Sequence, residues 1–231
     1  MMKIISKLFA FVISTTRIKY HVLREILNQN ESKVLTFENT QSPSYLKDVG
    51  WFTSINKKEN IFKDELVPWV SYPFIEFLMP RLKDDFSVFE FGMGSSTVFF
   101  SKKCKDVVAV EHDNQWYMKT KENLKGSSNI GLKFRALENG YSKTINENDK
   151  EYDIIFIDGR KRLECLKNSI SHLSNKGVII LDNSDRAKYK DAFGYMSQSG
   201  FKEITISGLV IAHYMKSSST IFYKVKNCLG I

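Results

Sequence analysis

The 231-residue sequence has only three cysteines, Cys104, Cys165 and Cys228, and they are far apart. They form no Cys-x-x-Cys pair, so we expect neither a disulfide framework nor a zinc site, and a reducing cytoplasm is the expected compartment. The longest apolar run near the start, residues 8–13, is far shorter than the roughly 20 residues that span a bilayer. It also lacks a small-residue cleavage signature, so we expect no signal peptide.

Several catalytic signatures are missing as well. The sequence has no Gly-x-Ser-x-Gly elbow and no Gly-Lys-Ser/Thr phosphate loop, which argues against hydrolases and phosphoryl transferases. Its formal net charge of +8 comes from the two ends, because residues 1–33 and 188–231 each carry six basic and two acidic side chains. The neutral middle of the chain does not indicate a basic channel for nucleic acid.

The first residues have a different pattern from the remainder. Apolar side chains recur at helical spacing over residues 3–28, and a polar stretch follows at residues 38–44. We interpret residues 1–45 as a helical extension with a linker and residues 46–231 as the main domain. Two roles for the extension are consistent with this pattern. It packs on the domain or on a second copy of the chain, or its basic face lies on an anionic membrane surface.

From residue 87 onward, short β-rich runs alternate with helical segments. Strands are predicted at residues 87–91, 107–111, 130–136, 154–158, 177–181, 202–207 and 219–224, and helices at 97–103, 114–124, 162–173 and 188–198. Continuously apolar strands suit a parallel sheet that is covered on both faces, so we predict a doubly wound α/β fold. In such sheets ligands bind at the carboxyl ends of the strands.

The first of these strands ends in a glycine-containing segment, Glu90-Phe-Gly92-Met-Gly94, followed by Ser95 and Ser96. The two glycines permit a tight turn and a close approach of the backbone to a ligand. Ser95, Ser96 and Thr97 can cap a helix whose free N–H groups face an anion. This segment is therefore a candidate loop for a charged cofactor.

The second strand ends in Glu111, 17 residues after Gly94, where a carboxylate can accept both hydroxyls of a ribose. Together the two strand ends indicate a cofactor that contains a nucleoside. A dinucleotide fingerprint would have a third glycine at position 97, which is Thr97 here. Glu90 instead suits a cationic group, and S-adenosylmethionine has an ammonium group and a carboxylate in its methionyl part.

These segments resemble the successive motifs of class I S-adenosylmethionine-dependent methyltransferases, at residues 90–94, 110–113, 152–159 and 177–183. The resemblance covers roughly residues 66–224 and implies a Rossmann-like sheet of seven mostly parallel strands, the last of them antiparallel. It implies that Glu111 binds the ribose and that His112 flanks the adenine. It also implies that Glu90, Gly92 and Gly94 line the methionyl part and that Asp158 faces the sulfonium. Ser95 and Ser96 are cofactor-binding candidates as helix caps, and Ser96 stands where the family often has a third glycine.

Asp158, Asp182 and Asn183 follow two neighbouring strands and offer three oxygen ligands, which suit Mg²⁺ or another hard divalent cation. The arrangement is similar to that of catechol-type O-methyltransferases. That similarity implies catalytic roles for Asp158 and Asp182, and a general base at Lys161. A second interpretation stays open: Asp-Asn after a strand is a common turn pair, and residues 160–162 are a solvated run or a clamp for an anionic substrate.

An aromatic cluster precedes the first strand of the sheet. Pro68 and Pro73 bracket Trp69 and Tyr72, which could place an indole and a phenol over the cofactor pocket. The alternative is a hydrophobic clasp that covers the sheet edge. With Arg160, these two aromatic residues are the candidate substrate contacts.

The leading hypothesis is an S-adenosylmethionine-dependent methyltransferase that methylates a hydroxyl of a small molecule or a glycan precursor. Methylation of protein or nucleic acid is the second. The neutral central domain and the lack of an Asn/Asp-Pro-Pro-Tyr motif argue against it. A third hypothesis is a non-catalytic binding or assembly protein that keeps the fold and docks through its N-terminal helix.

Overall fold

The computed structural model describes residues 45–147 and 149–231. The chain divides into a unit of residues 1–48, in which helix α1 (Tyr45–Asp48) is described, and a unit of residues 49–231. The helix predicted at residues 3–28 and the linker at 38–44 lie outside the described residues. Over the two described ranges, no helix combines the length and hydropathy needed to cross a membrane.

The second unit alternates strands and helices, as expected for an α/β fold. Its helices are α2 (Trp51–Lys57), α3 (Tyr72–Leu78), α4 (Ser95–Lys103), α5 (Asn114–Asn123), α6 (Arg162–Ser169) and α7 (Lys190–Gln198). Its strands are β1 (Ile61–Phe62), β2 (Glu65–Leu66), β3 (Ser87–Phe91), β4 (Asp106–Glu111), β5 (Ile130–Phe134), β6 (Tyr152–Ile157), β7 (Leu173–Asp182), β8 (Lys202–Leu209) and β9 (Lys216–Tyr223). Short 3-10 helices lie at Met79–Arg81, Leu137–Asn139, Tyr141–Glu147, Ile170–His172 and Ala187–Tyr189.

Seven strands form one sheet in the order β5-β4-β3-β6-β7-β9-β8, and β1 pairs with β2 in a separate hairpin. Strands β3 to β7 are parallel, whereas β9 is antiparallel to both of its neighbours. The predicted doubly wound, mostly parallel sheet with an antiparallel last strand is therefore confirmed.

Helices cover both faces of this sheet. On one face, Phe100 of α4 packs edge-on against Phe156 of β6, with ring centroids 5.6 Å apart. On the other face, Leu166 of α6 and Met196 of α7 belong to one buried cluster with Ile155 of β6. Adjacent residues of β6 thus face opposite layers, which explains why the central strands are continuously apolar.

The largest differences from the predicted boundaries lie at the junction of α6 and β7. Strand β7 starts at Leu173 rather than at residue 177, because Leu173 pairs with Tyr152 ahead of a register shift. Helix α6 consequently ends at Ser169, and the predicted helical residues 170–172 form a 3-10 turn into the strand. The start of β7 depends on pairing with β6, and helical periodicity in the sequence carries no information about that pairing.

Candidate active site

A cavity of about 900 Å³ opens at the carboxyl ends of β3, β4, β6 and β7. Most of the predicted site residues line it: Trp69, Glu90, Gly92, Gly94, Ser95, Ser96, Glu111, His112, Asp158, Arg160, Asp182 and Asn183. Parallel strands end at the same sheet edge, so strand-end residues as distant in sequence as Glu90 and Asn183 line the same cavity. Two predicted residues, Tyr72 and Lys161, do not line the cavity.

The turn after β3 is shaped by Gly92, whose φ of 107° lies in the region that favours glycine. A Cβ at this position would lie 3.1 Å from the backbone nitrogen of Gly159, in the loop after β6. The two loops are therefore in close backbone contact. Gly94 has extended backbone, with φ of 166°, and stands directly before α4.

Glu90 is fully buried and points to the start of α4. The Thr97 hydroxyl donates to Glu90 Oε2 at 2.7 Å, and the Ser96 hydroxyl donates to Oε1. Burial is the main cause that raises the pKa of Glu90, to about 8; the two hydroxyls oppose the shift, and the Glu111 carboxylate adds to it. Thr97 was not predicted as a site residue, although its place two residues after Ser95 put it in the first turn of the helix.

Glu111 is held by the backbone around it. Its Oε1 accepts hydrogen bonds from the N–H groups of His112 and Asp113 at 2.7 and 2.8 Å, and its Oε2 accepts one from the Met93 N–H at 3.0 Å. Three donors from two loops thus fix the orientation of the carboxylate. A carboxylate oxygen has two lone pairs, so Oε2 can still accept a ligand hydroxyl.

Trp116 forms part of the same wall and was not predicted from the sequence. Its indole N–H donates to the Met93 carbonyl, and its ring lies beside Gly94. Asp113 caps α5, because its carboxylate accepts a hydrogen bond from the backbone N–H of Trp116 at 2.9 Å. This bond fixes the backbone from which the indole projects. The side chain is 46% exposed, so a ligand in the cavity can contact its ring.

At the opposite end of the cavity, a buried arginine joins two acids. Arg162 Nη2 donates to Asp158 Oδ1 at 2.8 Å, and Arg162 Nη1 lies 3.7 Å from Asp182 Oδ2. The guanidinium also donates to the backbone carbonyls of Asp158, Gly159 and Asp182. Its five N–H groups in a fixed fork are suited to this set of acceptors.

Both acids contact the guanidinium of Arg162 and affect each other's pKa. Asp158 is 26% exposed but lies deep in the cavity, and this desolvation, together with repulsion from Asp182, raises its pKa well above the usual range. Burial also raises the pKa of Asp182, while Arg162 and the Ser219 hydroxyl, which donates at 2.7 Å, oppose the shift.

The residues present do not fit the predicted metal site. Arg162 already supplies a positive charge to Asp158 and Asp182, and the third predicted ligand, Asn183, donates its amide to Ser217 Oγ at 3.0 Å. In the described ranges, no group of three or more His, Cys, Asp or Glu side chains is arranged to hold a metal ion. A divalent ion would have to displace the guanidinium.

The structure also corrects two other expectations. Lys161, the predicted general base, precedes α6 in a left-handed conformation with φ of 49° and is exposed outside the cavity. Tyr72 is fully buried, and its hydroxyl donates to Ser54 Oγ at 3.4 Å. We therefore assign neither residue to the site. Trp69 does line the cavity and is 50% exposed, with its indole N–H donating to the Ile211 carbonyl at 3.0 Å.

The sequence matches no protein-family model and no curated protein. Solved structures share its architecture. A putative caffeoyl-CoA O-methyltransferase from Staphylococcus aureus matches with a TM-score of 0.54 and 18% identity, over 83% of this chain and 98% of that one. An rRNA methylase from Streptococcus thermophilus gives 0.52 and 18%, over 68% and 99%. The precorrin-6y C5,15-methyltransferase of Geobacter metallireducens gives 0.52 and 18%, over 66% and 87%.

The chain has the class I S-adenosylmethionine-dependent methyltransferase fold. The three methyltransferases are described by different acceptors, so the shared fold leaves the acceptor undetermined. In the methyltransferase fold of this chain, the cavity joins a carboxylate-rich end at β3 and β4 to the Asp158–Arg162–Asp182 cluster at β6 and β7.

Proposed function

We propose that the protein is an S-adenosylmethionine-dependent methyltransferase that methylates an oxygen atom of a small molecule or glycan precursor. One observation carries the proposal. Glu90 and Glu111 lie at one end of a cavity whose other end contains Asp158, a carboxyl group with a raised pKa. This arrangement supports a cofactor site and a proton acceptor in one cavity.

The cofactor end suits the charges of S-adenosylmethionine. Buried Glu90 offers a carboxylate to an ammonium group, and Glu111 offers one to the ribose hydroxyls. Gly92 keeps the loop close, since a side chain there would press on Gly159. Trp116 and His112 provide ring surfaces beside Glu111 for the adenine.

When bound, S-adenosylmethionine supplies a methyl group on a sulfonium, which is the electrophile of an in-line displacement. The residues of the chain orient the acceptor and remove its proton. Asp158 lines the cavity, and Arg162 holds its Oδ1 at 2.8 Å. A neighbouring positive charge favours the ionised carboxylate, and its raised pKa makes it an effective acceptor for a hydroxyl proton.

Calorimetry of S-adenosylmethionine and its demethylated product, S-adenosylhomocysteine, tests the cofactor site. We expect the wild-type protein to bind both and Glu111→Ala to lose binding, because the ribose loses its acceptor. Glu122→Ala is a matched control, since that glutamate is 65% exposed on α5 and does not line the cavity. A folded wild-type protein that binds neither compound would contradict the proposal and favour a non-catalytic role.

The catalytic role of Asp158 needs a second measurement. Asp158→Asn should bind S-adenosylhomocysteine but transfer methyl groups to hydroxyl acceptors at least about 100-fold more slowly, as expected on loss of a general base. Unchanged turnover by this variant would remove Asp158 from the mechanism while leaving the cofactor assignment intact.

A further inference from the structure

The charged side chains that line the cavity fall into two classes. Each acidic side chain among the described lining residues has a donor from the protein. Side chains donate to three of them: Ser96 and Thr97 to Glu90, Arg162 to Asp158, and Ser219 to Asp182. Backbone N–H groups donate to the other three: those of Met93, His112 and Asp113 to Glu111, that of Trp116 to Asp113, and that of Ser218 to Asp185. Each of these carboxyl groups therefore already accepts at least one hydrogen bond from the protein.

Four cations in the lining have no such partner. Lys58, Arg160, Arg186 and Lys216, which we call the rim cations, are exposed and line the cavity. Within residues 45–147 and 149–231, no hydrogen bond or ion pair involves the side chain of any of them. Arg162, the fifth Lys or Arg side chain in the lining, forms ion pairs with Asp158 and Asp182.

The rim cations come from four separate parts of the fold. Lys58 follows α2, Arg160 lies in the loop after β6, Arg186 lies between β7 and α7, and Lys216 begins β9. A solvated run of charges would be contiguous in sequence, whereas these converge on one cavity. Cations that line one cavity and form no ion pair with its acids are available to bind an anion.

An apolar surface lies in the same lining. Trp69 is 50% exposed and Met215 is 52% exposed. The indole N–H of Trp69 is used by the Ile211 carbonyl, so the exposed part of the ring offers only its apolar surface to a ligand. Large exposed apolar side chains beside a cavity are typical of ligand contacts.

From these features we infer that the methyl acceptor is an anionic small molecule. Its carboxylate or phosphate group binds to the rim cations, and its apolar or aromatic body lies against Trp69 and Met215. That the bound anion is the methyl acceptor rests on the proposed function. The presence of an anion site does not. The cavity volume of about 900 Å³ is within the range for small-molecule sites and favours such a ligand over a nucleic acid.

The test uses phenyl phosphate and benzoate as probes, with benzyl alcohol as their uncharged counterpart. Each is titrated calorimetrically into the full-length protein, with and without saturating S-adenosylhomocysteine. We expect at least one anion to bind roughly tenfold more tightly than benzyl alcohol, since charge-assisted hydrogen bonds are the strong ones. Comparison of the two anions tells a phosphate-bearing from a carboxylate-bearing acceptor.

Arg160→Ala combined with Arg186→Ala should weaken binding of the anion roughly tenfold. Lys143→Ala with Lys202→Ala removes the same charge from exposed positions outside the cavity and should leave anion affinity unchanged. Equal loss in both double variants would mean general electrostatic attraction and overturn the inference. So would equal affinity for benzyl alcohol, no anion binding up to about 10 mM, or tighter binding of a short RNA that the arginine variant abolishes.

The two proposals fail differently. If S-adenosylhomocysteine does not bind but the anions do, the anion site stands and the methyltransferase assignment fails. If S-adenosylhomocysteine binds and the anions do not, the cofactor site stands and the inferred acceptor class is wrong.

Discussion

The guanidinium of Arg162 lies 2.8 Å from Asp158 Oδ1, at the point where the sequence favoured a divalent cation. The same side chain is 6% exposed and donates to the backbone carbonyls of Asp158 and Asp182, at the ends of β6 and β7. A fixed positive charge built into α6 thus stands beside the two aspartates. This relationship determines the first two predictions.

Binding and stability should not depend on divalent metal. Because Arg162 neutralises Asp158 and Asp182, adding Mg²⁺ or Ca²⁺ should leave the melting temperature and the affinity for S-adenosylhomocysteine unchanged, and a chelator should do the same. Differential scanning fluorimetry and calorimetry measure the two quantities. A rise of several degrees with Mg²⁺, reversed by the chelator, would restore the metal site.

Arg162→Met should destabilise the fold by about 3–5 kcal/mol, as expected when one partner of a buried ion pair is removed. Urea unfolding measures the loss. Arg135→Met is the control, because its partner Glu147 is partly exposed and a surface pair contributes about 1 kcal/mol or less. Since an acid with a raised pKa makes the folded state less stable as pH rises, the loss in Arg162→Met should be smaller at pH 5 than at pH 8. An equal loss at both pH values would show that the aspartates do not respond to the guanidinium.

Cofactor affinity should increase with pH up to about 8. Glu90 has a pKa of about 8, so below that pH it is mostly protonated, and binding of an ammonium group must release the proton. The affinity for S-adenosylhomocysteine should therefore rise by close to tenfold per pH unit between 6 and 7 and level off above 8. Calorimetry in two buffers with different heats of protonation counts the released proton. In Glu90→Gln this release should disappear; a wild-type protein that releases none would place the ammonium elsewhere.

Trp116 should report cofactor binding through its fluorescence. It lies beside Gly94 and donates to the Met93 carbonyl, so a nucleoside near Glu111 changes its surroundings. We expect S-adenosylhomocysteine to alter the emission of the wild-type protein and of Trp69→Phe, but to have little effect on Trp116→Phe. The last variant should also bind several-fold more weakly, since one stacking surface is reduced. If the signal instead disappears in Trp69→Phe, the cofactor lies at the other end of the cavity.

The strand ends could be predicted because the sequence carries two signals for them: an apolar run, and a polar residue at its end. Glu111, Asp158 and Asp182 were found in this way, whereas Glu90 lies one residue before the end of β3. All four line the cavity. The fold class followed from the same alternation.

Side-chain direction could not be predicted. Lys161, which has a left-handed backbone, and Arg162 are adjacent cations, yet Lys161 is exposed outside the cavity and Arg162 is buried in its lining. Tyr72 and Trp69 were one cluster in the sequence, yet packing against Ser54 buries the tyrosine. Such choices depend on contacts with distant residues, which spacing does not encode.

Strand β9 inserts between β7 and β8, and its Ser219 donates to Asp182. A ribosome makes β7 well before β9, so an emerging chain has the acid without its donor. Strand β8 is also made before β9, the strand that joins it to the sheet. The acceptor end of the cavity is therefore completed only when β9, which is translated after the other six strands, enters the sheet. Assembly of this end is thus separated during synthesis from assembly of the earlier β3 and β4 end.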